Sequence, residues 1–252
     1  MAGNGFYVYA VTEASAPVDG LPAGVDGAAV TSIIVDDLAA VVSPIAVRTL
    51  RPERRHLAAH QGVLRVLGRV ATVLPLSFGM ITKNQPQIER FLRQHRLSLT
   101  EQMGRVAGCV EMGLRVAWDV PNIFAYLVER HPVLRVARDR LASGASHDER
   151  MELGRMVEGV LSQERQDLTD RVLEALRPAC ADVLINDPRK DTEIMNLACL
   201  VRREGVEAFE RAVHAAASGF SEEFVFDFNG PWAPHNFVKL EIDGEEGLRE
   251  AA

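Results

Sequence analysis

Strand-like and helical segments alternate through the first half of the sequence, and this alternation constrains the fold more than any other feature. The runs GFYVYAV and CVEMGLRVAW have the two-residue period of half-buried strands. Between them, apolar residues recur at helical spacing from Pro52 to Ala71 and from Ile88 to Val106. The predicted order β-β-β-α-β-α-β favours an antiparallel sheet with helices on one face. We therefore predict an α+β domain of ferredoxin-like kind over residues 1–119.

The last strand of this predicted domain has two different faces. Its alternation places five apolar side chains on the side expected to face a core: Val110, Met112, Leu114, Val116 and Trp118. Earlier in the chain, Asp36 and Asp37 separate two short apolar runs and are interpreted as the tight turn of a hairpin.

A helical hairpin is predicted over residues 120–177. Its first amphipathic run contains Pro132, whose ring clashes with the preceding helical turn and should break or restart the helix. Ser146 and Glu149 have the spacing of a capping box, which predicts the start of a long second helix. Two amphipathic helices in succession are expected to pack on each other.

The remaining residues, 178–252, contain two strand-like runs, a helical run and a final strand, EFVFDFNG. This ββαβ set needs the long helices or the first domain to complete its core, and we group it with the hairpin. The sequence therefore predicts two domains, 1–119 and 120–252, with the second consisting of the hairpin and a smaller α+β part.

Charge and targeting signals narrow the class of protein. The formal net charge is −7, which disfavours nucleic acid as a partner because phosphate binding needs a concentrated basic face. The sequence shows no signal peptide and no apolar run long enough to cross a bilayer. Three cysteines without CxxC spacing are typical of a reduced protein. We expect a cytoplasmic protein that binds neither nucleic acid nor membrane.

The sequence lacks the common catalytic signatures for phosphate, dinucleotide, zinc-protease and serine-hydrolase chemistry. His56 and His60 are four residues apart on a predicted helix and could reach one metal ion, but the sequence fixes no third ligand. Hydrogen-bonded, half-buried histidines are the simpler interpretation. The carboxylates of the DDLAA and NDPRKD runs are assigned to turns. We predict no catalytic, cofactor-binding or metal-binding residue.

The run FNGPWAPHNFV near the end of the chain is the most distinctive feature. Gly230 and Pro231 are expected to turn the strand sharply, and they hold Trp232 in a constrained frame, with Phe237 following. Two interpretations stay open. In the first, the aromatic residues close a core as a plug. In the second, they form a rigid anchor for a partner protein, and this anchor would lose little conformational entropy on binding because its backbone is already constrained.

This run resembles the C-terminal signature of the gas vesicle protein F/L family, close to G-P-W-P-P-Y-x-F-V. Four other segments agree in order: FYVYAV, HQGVLRVLGRVATVLPLSFGMI, VEMGLRV and MNLACLVRREGVEAFERAV. The resemblance extends over about residues 5 to 240. Departures from the family pattern include Ser77 for arginine, Met112 for tryptophan, Arg115 for lysine, Ala233 for proline and His235 for tyrosine. Gly230, Pro231, Trp232 and Phe237 match it.

The resemblance implies a non-enzymatic protein that helps to build gas vesicles and lies at the gas vesicle or in the cytoplasm. Its expected partners are the apolar major gas vesicle shell protein (A-type) and other accessory proteins. The expected partner-binding residues are Gly230, Pro231, Trp232 and Phe237. An alternative class remains, a sensor or enzyme that binds a small ligand or metal on the N-terminal sheet face, with His56 or His60 as ligands.

Overall fold

The structure, a computed structural model, describes residues 4–46, 50–141, 146–239 and 249–250. It contains two sheets and seven α-helices within these ranges. The strands are β1 (Asn4–Glu13), β2 (Thr31–Val35), β3 (Leu38–Ala46), β4 (Leu74–Pro75), β5 (Met80–Thr82), β6 (Cys109–Trp118), β7 (Asp182–Asn186), β8 (Glu193–Arg202), β9 (Phe224–Trp232) and β10 (Arg249–Glu250). The helices are α1 (Arg54–Val70), α2 (Gln85–Gln94), α3 (Arg96–Val106), α4 (Ile123–Arg130), α5 (Pro132–Leu141), α6 (His147–Leu176) and α7 (Val206–Ala217). The predicted α+β class is confirmed.

The first sheet is antiparallel and has the strand order β10-β5-β1-β3-β2, with β4 also paired to β1. The hairpin between β2 and β3 turns at Asp36 and Asp37, as predicted, and Asp36 has a positive φ of 54°. Tyr9 is an extra residue in β1, since the register against β3 shifts between Val8 and Ala10. Such a bulge bends the central strand locally.

The second sheet has the strand order β7-β8-β6-β9. This corrects the sequence analysis, which counted β6 as the last strand of the N-terminal sheet. Periodicity identified the strand and its buried face correctly, since Met112, Leu114 and Val116 are all 1 % exposed or less. Periodicity carries no information on which strands pair, because pairing depends on residues far away in the chain.

Helix boundaries follow local chemistry. The predicted helix over 88–106 is two helices that meet at His95, and α2 begins at the cap Asn84, whose side chain accepts from the N–H of Gln87. The helix predicted after residue 120 is also two, because the chain breaks at His131 before Pro132. The capping box at Ser146 and Glu149 is confirmed at the start of α6.

Two compact units divide the chain, and each combines distant segments. Unit 1 consists of residues 1–112, 200–203 and 230–252, and unit 2 consists of residues 113–199 and 204–229. The linear boundaries predicted at residues 119 and 177 are not tested by this division, and they stay a prediction.

The core of unit 1 lies between α1 and the first sheet. Tyr7, Tyr9, Val63, Leu64 and Leu67 are buried there, and all are 1 % exposed or less. Ala233, from the C-terminal part of unit 1, also packs in this core. In unit 2, α6 packs against α4, α5 and α7, so the predicted hairpin packing is observed. No helix in the described part of the chain is long and apolar enough to span a membrane.

Candidate partner-binding site

The corner, residues 230–234, begins at a glycine that the backbone requires. Gly230 has a φ of +130°, a region that L side chains rarely adopt. A Cβ atom there would lie 2.7 Å from Sδ of Met112 and 2.9 Å from the carbonyl oxygen of Glu111. The following peptide to Pro231 is cis. The chain at the corner therefore runs directly against β6.

The chain does not leave the strand where the sequence analysis expected a sharp turn, because β9 continues through Gly230 and Pro231 to Trp232. The direction changes after that, at Pro234, which precedes a short 3-10 turn over His235–Phe237. The two large aromatic residues of the run end in different environments. Trp232 is 39 % exposed, whereas Phe237 is 3 % exposed.

The segment after the corner is fixed by partly buried hydrogen bonds to the rest of unit 1. Glu111 accepts from the backbone N–H of Asn236 at 2.8 Å and from its side-chain amide at 2.6 Å. Burial raises the pKa of Glu111, and the two bonds from Asn236 oppose that rise. Gln102 and Lys239 exchange two further bonds, so the backbone that carries the corner has little freedom.

A groove of about 310 Å³ lies beside the corner, entirely within unit 1. The corner itself forms one wall, and the last turns of α1 with the start of β6 form the other. Its lining residues are Leu64, Arg65, Gly68, Arg69, Ala71, Val73, Cys109, Val110, Arg203, Gly230, Pro231, Trp232, Ala233 and Pro234. Three of the four predicted partner-binding residues, Gly230, Pro231 and Trp232, thus line one groove, and Phe237 does not.

The three arginines of this groove were not singled out by the sequence analysis. Arg65 and Arg69 are one helical turn apart on α1, a spacing that puts both on the same face. That spacing was the available signal. Arg203 directly follows β8, and no sequence pattern connects it to α1. Its guanidinium donates to the carbonyl oxygens of Arg69 and Ala71, where α1 ends.

His56 and His60, the metal or small-ligand residues of the alternative hypothesis, form hydrogen bonds with different partners. His56 has Nε2 at 3.1 Å from Oδ1 of Asp26 and Nδ1 at 3.1 Å from the carbonyl oxygen of Arg51. His60 has Nδ1 at 2.9 Å from the hydroxyl of Tyr7. Within the described ranges, no group of three or more His, Cys, Asp or Glu side chains is placed to hold a metal ion. Helix α1 covers the sheet face that this hypothesis requires.

His60 lies in a buried aromatic cluster with Tyr7, Tyr9, Phe78 and His235. The Tyr7 hydroxyl accepts from the N–H of Gly79, so its own proton is available to Nδ1 of His60. Burial lowers the pKa of His60 to about 4, with a further decrease from His235. Burial also lowers the pKa of His235 and raises that of both tyrosines. The cluster is therefore uncharged at neutral pH.

Comparison with known proteins identifies the family of this chain. Residues 5–239 match the family described as "Gas vesicle synthesis protein GvpL/GvpF". The chain belongs to the GvpL/GvpF family. Gas vesicle protein F of Nostoc sp. is 25 % identical over 94 % of this chain and 99 % of that protein. Gas vesicle protein F2 of Halobacterium salinarum is 29 % identical over 98 % of this chain and 97 % of that protein.

A solved structure shares the whole architecture. The crystal structure of the gas vesicle protein GvpF from Anabaena sp. superposes with a TM-score of 0.85 at 25 % identity, and the match covers 95 % of this chain and 100 % of that one. The resemblance to the F/L family is confirmed over almost the full length. As a GvpL/GvpF member, this chain has a gas vesicle related function.

Proposed function

We propose that this chain is a non-enzymatic adaptor of gas vesicle assembly that binds the A-type major shell protein and other accessory proteins. A very apolar shell subunit aggregates in water unless its apolar surface is covered before it polymerises. The adaptor covers part of that surface and acts at the gas vesicle. Family membership and the exposed corner support this function.

The observation that carries the proposal is the exposed indole of Trp232, held on a backbone that has little freedom. Aromatic side chains on rigid backbone are typical hot spots of protein interfaces, because their large contact area costs little conformational entropy. Gly230 and Pro231 shape the corner in this proposal, and Phe237 anchors it to the core rather than contacting the partner.

The test is recovery of the major shell protein with the tagged chain after co-expression, comparing wild type with Trp232→Ala. We expect Trp232→Ala to recover at least about tenfold less shell protein, since truncation of an interface hot spot costs about 2 kcal/mol or more. Phe124→Ala is the matched control, because Phe124 is an aromatic residue of α4 that is 50 % exposed. It should recover as much shell protein as the wild type.

Two results would contradict the proposal. If Trp232→Ala unfolds the chain, as judged by circular dichroism and thermal melting, the residue is a core plug and not an anchor. If the variant is folded and recovers as much shell protein as the wild type, the corner does not bind this partner.

A further inference from the structure

The groove beside the corner combines apolar walls with a concentration of positive charge. Its three charged lining residues, Arg65, Arg69 and Arg203, are all cationic, and no carboxylate among the described residues lines it. The chain as a whole has a formal net charge of −7. A local charge of +3 attracts anionic partners to the groove, although the net charge of the protein is negative.

The charges on α1 are available to a partner. Arg65 and Arg69 are exposed, and no ion pair joins either side chain to a carboxylate in the described part of the chain. Other exposed arginines are paired, such as Arg93 with Glu89 and Arg96 with Asp37. Two like charges one turn apart on a helix repel each other, and an anion between them removes that cost.

Arg203 has a different part in the groove. Its two terminal nitrogens donate to carbonyl oxygens at the end of α1, and its buried Nε–H has no acceptor among the described residues. Arg203 therefore adds positive charge to the groove wall while its guanidinium is held against the end of α1. Gly68 lies between the other two arginines and leaves open space, since a Cβ atom there would meet nothing within 4 Å.

We propose that this groove binds a protein segment in which an apolar side chain is flanked by carboxylates. The apolar side chain packs against Trp232, Pro231 and Val110, and the carboxylates pair with Arg65 and Arg69. Nucleic acid fits less well, because a phosphate backbone requires a longer basic track than the single helical turn between Arg65 and Arg69. The inference rests on the proposed function, in that it specifies the chemistry of the partner segment that the corner receives.

The test uses the full chain and the indole N–H signals of its two tryptophans in an NMR titration. The probe is the capped peptide acetyl-Ala-Glu-Leu-Leu-Glu-Ala-amide, with versions in which glutamine or lysine replaces both glutamates. We expect the acidic peptide to shift the Trp232 signal saturably and the Trp118 signal little, because Trp118 is buried outside the groove. Affinity should fall at least about tenfold for the glutamine peptide.

Charge-reversal variants then test whether Arg65 and Arg69 bind the carboxylates of the peptide. The double substitution Arg65→Glu/Arg69→Glu should weaken binding of the acidic peptide at least about tenfold and restore binding of the lysine peptide, since the charge complement is reversed. Arg90→Glu/Arg93→Glu on α2 is the matched control, with the same change in net charge outside the groove. It should bind the acidic peptide within about twofold of wild type.

Three results would overturn the inference: equal binding of the glutamine peptide, unchanged binding by Arg65→Glu/Arg69→Glu, or tighter binding of a single-stranded oligonucleotide that moves the Trp232 signal. Recovery of the shell protein separates this inference from the proposed function. If Trp232→Ala loses the shell protein and Arg65→Glu/Arg69→Glu retains it, only the acidic-segment inference fails. If the peptides behave as expected and the wild type recovers no shell protein, only the choice of partner fails.

Discussion

At the scale of single residues, buried histidines link the stability of unit 1 to pH. The folded chain holds His60 with a pKa near 4, whereas an unfolded histidine titrates near 6.5. The unfolded state therefore takes up the proton first as the pH falls. Stability from the neutral imidazole is fully present above about pH 6.5 and is lost progressively down to about pH 4. The lowered pKa of His235 acts in the same direction.

We expect the free energy of unfolding to fall by about 2 kcal/mol between pH 7 and pH 5 through His60 alone. His60→Gln removes this titration and should reduce the pH dependence by that amount. Urea unfolding of both proteins at the two pH values measures it. His147→Gln is the control, since His147 is exposed at the start of α6. Equal pH dependence in wild type and His60→Gln would show that the buried cluster accepts protons without cost.

At the scale of secondary structure elements, local sequence determines where helices begin. The Ser146 hydroxyl accepts from the N–H of Glu149 at 3.3 Å, and the Glu149 carboxylate accepts from the N–H of Ser146 at 2.8 Å. These bonds hold the pKa of Glu149 below its usual range. They satisfy donors that the first turn of α6 leaves without partners. Carboxylates in this turn also interact favourably with the helix dipole.

Ser146→Ala should destabilise unit 2 by about 1 kcal/mol, the usual cost of losing an N-terminal cap. Ser162→Ala is the matched control, because Ser162 is exposed in the interior of the same helix, where alanine is the better helix former. Denaturant unfolding of the two variants tests the difference. Equal stability would mean that α6 is held by its packing with other helices and that the cap adds nothing.

At the scale of the whole molecule, residues 230–239 return to unit 1 and complete it. They supply the buried side chains Ala233 and Phe237 and the two donors to Glu111. Without these donors the carboxylate of Glu111 would remain buried among groups that do not stabilise its charge. The unit therefore depends on a segment that lies more than 100 residues from Glu111 in sequence.

A chain ending at Asn229 should accordingly be much less stable than one ending at Lys239. Loss of a buried phenylalanine costs about 3–5 kcal/mol, and this corresponds to a fall in Tm of roughly 10 °C for a protein of this size. Thermal melting of the two truncated chains, which share the loss of residues 240–252, provides the comparison. Equal melting temperatures would show that the N-terminal segment of unit 1 is self-sufficient.

The sequence by itself determined the elements and the family. Alternation identified β1 and β6, Pro132 predicted the break before α5, and Ser146 with Glu149 predicted the start of α6, because each signal acts over a few residues. The motif around Trp232 indicated the gas vesicle family, which the comparisons confirm. Only the tertiary structure decided which sheet β6 joins and which aromatic residue of the motif is exposed. It also brought Arg203 to Arg65 and Arg69, because long-range packing depends on side chains that no local pattern connects.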